Sequence, residues 1–191
     1  NYPYRPQDRG FQESVWYPSS SIPSVPAYWG NDYFDDVYTR NGKNERFKGY
    51  CTDVFFAEAK AFMKKSNKAT KRIICYLATN TPHGPFIPKP EDREVIAERL
   101  KDPQFDHLKD NLKKNLANYL GMIRNIDANM GGLMQFLDDE GLTDNTILIF
   151  QTDNGSLLGP QYFNAGMRGK KTELWEGGHR VPCFIRWPNG N

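Results

Sequence analysis

The chain has 191 residues, 38% of them hydrophobic and 14% aromatic, enough for a domain with a buried core and too apolar for a disordered chain. Its formal net charge is only +2 and its lysines are spread out, so charge gives no ground for a nucleic-acid partner. Uninterrupted apolar runs are only a few residues long, which excludes a membrane-spanning helix.

Residues 1–50 are rich in Tyr, Pro, Ser, Asn and Asp and hold no sustained period of 2 or 3.6 residues. They predict long loops with short strands, lying over the rest of the domain. Among them, Asp32, Asp35 and Asp36 read either as a cation site or as a solvated turn, and Trp29, Tyr33 and Phe34 favour a packed loop. The chain starts at Asn1 with no charged start and apolar stretch, so a fragment or processed product is expected.

Asp53 can cap a helix that runs through Lys65, with Phe55, Phe56, Ala59, Phe62 and Met63 on one face. Lys64, Lys65 and Lys68 suit its C-terminal end. The apolar run Arg72–Thr79 predicts a buried strand. Pro82, Pro85, Pro88 and Pro90 then forbid regular structure. A long helix is predicted from Lys113 to Glu140, with Tyr119, Met122, Ile126, Leu133 and Leu137 along one side and Gly141 ending it. Asn145–Gln151 predicts a second buried strand and Val181–Trp187 a third.

Strand, helix, strand at this spacing is a βαβ unit and implies a parallel pair. The fold class is α/β, with too few strands for a complete doubly wound sheet. The cysteines Cys51, Cys75 and Cys183 are odd in number and lack C-x-x-C spacing, which argues against a cysteine zinc site. Cys75 and Cys183 sit in apolar runs and predict buried thiols. His107 lies in a charged stretch and is expected at the surface.

In open α/β sheets, ligands gather beyond the carboxyl ends of strands. The first predicted strand runs into Thr79-Asn-Thr-Pro-His83-Gly-Pro-Phe86, and the second into Gln151-Thr-Asp153-Asn154-Gly155. Adjacent parallel strands would bring His83 and Asp153-Asn154 out on one edge. Asp153 and Asn154 offer hard oxygens suited to Ca²⁺ or Mg²⁺, while Asp-Asn-Gly is also common turn chemistry. His83, between prolines, also reads as a surface histidine. A third stretch, Gly166 to Pro182, carries Arg168, Lys170 and Lys171 among glycines. It can bring backbone and cations close to an oxyanion, or be a flexible basic loop.

Taken in order, T-P-H-G-P-F, the helix with Met122-Ile-Arg-Asn-Ile-Asp127, N-T-I-L-I-F-Q-T-D-N-G and G-K-K-x-x-x-W-E-G-G-x-R-V-P resemble the type I sulfatases of the alkaline-phosphatase superfamily. Asn1 to Phe11 and Tyr28 to Asp36 are similar to the segment that precedes these motifs in bacterial arylsulfatases. The resemblance implies part of a mixed, mostly parallel sheet flanked by helices. Residues 51–191 would belong to the catalytic domain, with the loop-rich residues 1–50 packed on it. Asp153 and Asn154 match a metal-ligand pair, with Ca²⁺ the usual ion and Mg²⁺ the alternative. His83 matches a histidine that contacts the sulfate group and protonates the leaving oxygen, and Lys171 a lysine that also binds sulfate.

The family's nucleophile is a formylglycine made from Cys or Ser in a C/S-x-P/A-x-R motif, and none of the three cysteines matches. The resemblance therefore places it upstream, with two aspartates that complete the metal site. Ca²⁺ takes about 6–8 oxygen ligands, so this chain alone is expected to bind metal weakly and to be inactive. Its missing strands should leave an apolar face exposed. Two departures stand out. Ser14 to Ser21 replace a histidine and glycine-rich run, and His179, read as scaffold, stands where an aliphatic residue is common. The implied activity is hydrolysis of sulfate monoesters, on a sulfated small molecule or glycan. The rivals are a phosphate or phosphonate ester hydrolase of the same superfamily, and a non-catalytic remnant that binds sulfated ligands. The compartment implied is periplasmic, secreted or lysosomal.

Overall fold

The computed structural model describes residues 3–19, 22, 30–69 and 71–190. Asn1, Tyr2, Ser20, Ser21, Tyr28 and Trp29 thus lie outside the described residues, with the resemblance and the packing role that sequence attaches to them. The N-terminal part builds a small sheet. Val15–Trp16 (β1), Val37–Arg40 (β2) and Lys43–Arg46 (β3) pair antiparallel in that order. β2 and β3 join through Asn41-Gly42, both left-handed (φ 48 and 88), the two-residue turn that matches strand twist. All four β3 side chains are exposed, so no alternation marks that strand in the sequence.

This sheet shares one core with the helices. Ile22, Tyr33, Tyr38, Phe47 and Tyr50 pack with Cys51 and Val54 of helix α1 (Cys51–Lys68) and Met122 of helix α3 (Asp110–Asp139). Asp36 is buried here and not in a solvated turn. Its carboxylate accepts the N–H groups of Asp32 and Tyr33 and the hydroxyl of Tyr38. Asp35 accepts the N–H of Gly49, and Asp32 that of Phe34. The three acids thus order their own loop, and among the described residues no group of three or more His, Cys, Asp or Glu could hold a metal.

Helix α1 is longer than predicted, and Asp53 lies in its first turn, after the cap residue Tyr50. Its carboxylate instead accepts Asn125 at 2.8 Å and Asn129 at 2.7 Å, both on α3. Phe56, Ala59 and Met63 meet Leu133 and Leu137 of α3 in a second core cluster. α3 begins three residues earlier than predicted, and Gly141 follows its end at φ 65. Leu116 and Met122 are fully buried on it, so truncating either to alanine costs about 2–5 kcal/mol.

Pro90 does not break structure but opens one, helix α2 (Pro90–Arg99). A proline in the first turn gives up an N–H that would have no intrahelical partner. Asp92 of α2 is buried and paired with Arg124 of α3, and Leu100, Leu108, Leu116 and Ala117 close the contact.

The strand expectations hold in part. Leu148–Gln151 (β4) and Cys183–Arg186 (β5) form inside the predicted spans but are shorter and not buried, and they pair with each other, antiparallel, from Leu148↔Arg186 to Gln151↔Cys183. Residues 72–79 form no ladder, and no parallel pair occurs among the described residues. A buried strand needs partners at its edges and cover on both faces. Here Ile73 and Leu77 rest on the second core cluster, while Ile74 and Tyr76 are 85% and 77% exposed. Cys75 and Cys183 are exposed for the same reason, contrary to the buried thiols expected. The apolar exposure foreseen from sequence is present on both faces of the β4–β5 pair, with Ile149 and Ile185 on one and Phe184 on the other. The architecture is a partial α/β domain, and no helix among the described residues is long and apolar enough to cross a membrane.

Candidate functional site

The end of β4 delivers the acid–amide pair. Thr152 donates its N–H to the carbonyl of Pro182 at 3.4 Å, carrying the β4–β5 ladder one step further. The chain then bends at Asp153 and Asn154, whose side chains touch: Asn154 Nδ2 donates to Asp153 Oδ2 at 2.7 Å. The pair offers three side-chain oxygens, Oδ1 and Oδ2 of Asp153 and Oδ1 of Asn154. Three oxygens fall well short of the about 6–8 that Ca²⁺ takes, so the residues present do not by themselves make a cation site.

The glycine-rich stretch is folded onto this bend by main-chain bonds. Gly155 donates to Gly178 at 2.9 Å, and Lys171 donates to Ser156 at 3.3 Å. Gly177 donates to Arg168 at 2.8 Å, and a Cβ on Gly177 would lie 2.1 Å from the carbonyl oxygen of Gly169. Two turns of backbone therefore lie in direct contact, which only residues without a Cβ permit. Asn164 Nδ2 donates to the carbonyls of Met167 and Gly169, and the Arg168 guanidinium lies 3.4 Å from the Trp175 ring centre. Arg168 is thus engaged on Trp175. His179, at the end of the helical turn Glu176–His179 (α4), is exposed. The structure brings Asp153, Asn154 and Lys171 into one arrangement.

His83 sits on a separate loop, exposed, between the cis peptide bonds Thr81–Pro82 and Gly84–Pro85. Its N–H donates to Asn80 at 3.1 Å. Its Nδ1 lies 2.7 Å from the Gly84 carbonyl, which can only accept, so that contact sets the proton on Nδ1. Nε2 is left as the working nitrogen. No hydrogen bond or ion pair among the described residues joins His83 to Asp153, Asn154 or Lys171. The two loops meet instead on Tyr119 of α3. Phe86 packs edge-on against its ring at 5.4 Å, and a Cβ on Gly159 would lie 3.6 Å from its hydroxyl. His107 is exposed, as expected, with Nδ1 on the carbonyl of Gln104.

Sequence does not single out Asn80 and Tyr33 as partners of the His83 loop. Asn80 donates to the Tyr33 hydroxyl at 2.7 Å, and that hydroxyl donates to the His83 carbonyl at 3.0 Å. A cleft of about 410 Å³ lies elsewhere, between β1, α1 and residues 74–78. It is lined by Tyr4, Phe11, Trp16 and Phe62, and holds none of His83, Asp153, Asn154 or Lys171. Its two arginines are engaged, Arg40 with Glu45 and Glu58 and Arg9 over the Tyr4 ring, so chemistry favours the loops over the cleft.

The bend beyond β4 and the Lys171 stretch are thus joined by main-chain bonds at one end of the β4–β5 pair. The chain belongs to the sulfatase family, and residues 7–191 match the family model "Sulfatase". It is 26% identical over 186 residues to the uncharacterized sulfatase YdeN of Escherichia coli, covering 96% of this chain and 30% of that protein. It is 30% identical over 135 residues to an N-acetylgalactosamine-6-O-sulfatase of Bacteroides thetaiotaomicron, covering 64% of this chain and 24% of the relative. The solved structure of Ps i-CgsB in complex with k-i-k-neocarrahexaose superposes with a TM-score of 0.80 at 26% identity, over 99% of this chain and 42% of that one. The chain thus spans less than a third of the length of these two curated relatives.

Proposed function

We propose that the complete polypeptide carrying this chain hydrolyses sulfate monoesters, and that this chain supplies part of the active site. The observation that carries the reading is the main-chain union of the Asp153–Asn154 bend with the Lys171 stretch, within a chain of the sulfatase family. In this reading Asp153 and Asn154 give two ligands to a divalent cation, Ca²⁺ or Mg²⁺, completed by residues outside this chain. The bound ion would supply positive charge at the sulfuryl oxygens.

Lys171 brings a second positive charge to the same oxygens, where a preorganised cation stabilises charge that builds in the transition state. In this role His83 acts as the imidazolium, with Nδ1–H on the Gly84 carbonyl and a second proton on Nε2. As the sulfur–oxygen bond to the alcohol breaks and sulfur passes to the nucleophile, that proton goes to the departing oxygen. The nucleophile is a formylglycine outside this chain. Residues 1–50 form a layer on the catalytic domain of residues 51–191. The substrate is a sulfated small molecule or glycan, in keeping with relatives named for a sulfated amino sugar and solved with a carrahexaose. The compartment is periplasmic, secreted or lysosomal.

The test is an assay of the complete polypeptide on 4-nitrophenyl sulfate, 4-nitrophenyl phosphate and 6-sulfated N-acetylgalactosamine. Sulfate release that falls in Lys171→Ala supports the reading. Turnover confined to the phosphate ester replaces it with the phosphatase rival, and binding of the sulfated sugar without turnover replaces it with a non-catalytic module.

A further inference from the structure

Two buried tyrosines grip the loop of His83 from beneath. Tyr33 has no exposed surface and donates its hydroxyl to the His83 carbonyl at 3.0 Å. Tyr50, 2% exposed, donates to the Ile87 carbonyl at 2.9 Å. Their rings lie stacked, with centres 5.9 Å apart and planes 19° apart. Asn80 extends the grip: it donates to the Tyr33 hydroxyl and to the carbonyl of Ile22, and accepts the N–H of Ile22.

Packing alone does not call for these hydroxyls, because phenylalanine fills nearly the same volume. A buried hydroxyl is tolerated only with a partner, and both partners here are carbonyls of one loop. Tyr33 also holds φ 87, a conformation that bulky residues rarely adopt. Its N–H is held by the Asp36 carboxylate at 3.2 Å, and its carbonyl by the N–H of Cys51 at 2.8 Å. Backbone held in such a region points to a functional constraint. Tyr38 is the contrast. It is equally buried, but its hydroxyl donates to Asp36 and not to a carbonyl of the His83 loop.

We propose that Tyr33 and Tyr50 are positioning residues for the leaving-group proton transfer, setting the backbone at His83 and Ile87 so that Nε2 of His83 meets the departing oxygen. The inference rests on the reading of His83 as the leaving-group acid. The coupling from backbone to ring is direct, since Nδ1 is bonded to the carbonyl of the very next residue. A displacement of the His83 carbonyl therefore moves the ring.

The experiment compares Tyr33→Phe, Tyr50→Phe, Tyr38→Phe and His83→Ala in the complete polypeptide. Steady-state kinetics on phenyl sulfate and 4-nitrophenyl sulfate are read beside thermal melts. Phenoxide is the poorer leaving group, so loss of a well-placed acid weighs more on phenyl sulfate. Tyr33→Phe is expected to lower kcat on phenyl sulfate about 10-fold, less on 4-nitrophenyl sulfate, with KM within about twofold. Tyr50→Phe acts in the same direction and serves if Tyr33→Phe does not fold. Tyr38→Phe is expected to lower the melting temperature while keeping the ratio of the two substrates. If His83→Ala is impaired but both loop-facing variants match Tyr38→Phe in that ratio, the positioning role is overturned. If His83→Ala itself is active on both esters, the underlying role of His83 fails instead.

Discussion

Gly155 and Gly177 touch backbone to backbone: a Cβ on Gly155 would lie 2.0 Å from the carbonyl oxygen of Gly177. The contact presses the acid–amide bend against the glycine-rich stretch that carries Lys171. A methyl group at Gly155 must push apart two main chains, not the end of a flexible side chain. Gly155→Ala should cost about 1–3 kcal/mol of stability and lower turnover more than it lowers the melting temperature would suggest. Gly131→Ala, on the exposed side of α3 with nothing near its Cβ, should gain about 0.5–1 kcal/mol. Melting curves and initial rates on the two variants check the pair, and unchanged rates in Gly155→Ala count against the contact as a site element.

His83→Ala and Lys171→Ala should each lower turnover of the complete polypeptide by about 10²-fold or more, the scale of losing one acid or one oxyanion donor. His107→Ala should leave it unchanged, because His107 is exposed and bonds only the carbonyl of Gln104. Near-normal rates in both of the first two variants would remove these residues from the site.

Asp153→Ala should weaken divalent-cation binding and turnover together, since it removes the charged ligand that the bend offers. The chain alone, with three side-chain oxygens at the bend, should bind Ca²⁺ weakly. Calorimetric titration of residues 1–191 reads this directly, and micromolar affinity there would refute it. Chelation should silence the complete polypeptide, and added Ca²⁺ should restore it.

Asp53 makes stability depend on acid. Burial works against its charge, but hydrogen bonds from Asn129 and Asn125 and the nearby Lys89 outweigh this and hold its pKa below the ordinary 3.8. A lowered folded value means that its contribution is whole above the ordinary value and fades as pH falls through the folded one. Asp36 runs oppositely: burial raises its pKa, so its contribution is whole in acid and fades as pH rises through the folded value. Asp53→Asn should cost about 1 kcal/mol at neutral pH, reduced because the group is part-exposed, and almost nothing in strong acid. Urea unfolding at both pH values reads the difference, and an equal loss at both would exclude the charge as its source.

Much of the local structure was legible in the residue order. α1, α3, β4 and β5 each carry their own signal, since a 3.6-residue period or a short apolar run is written within a few turns of chain. Asp153 and Asn154 stand out as candidates because they follow an apolar run, and Lys171 only through the family resemblance. The start of α2 at Pro90 was misread because a proline breaks a helix interior but suits its first turn. The Asn41-Gly42 hairpin was missed because β3 buries nothing and so shows no alternation.

Partnership was decided only in three dimensions. Apolar runs say that a segment can be a strand, not which strand it will meet or in which direction. β4 therefore pairs antiparallel with β5, and residues 72–79 stay without a ladder, although sequence predicts a parallel pair. The grip on His83 is the same case in polar form. Tyr33 and His83 lie 50 residues apart. Composition tells that a buried hydroxyl must find an acceptor, and only the folded chain settles which carbonyl it finds.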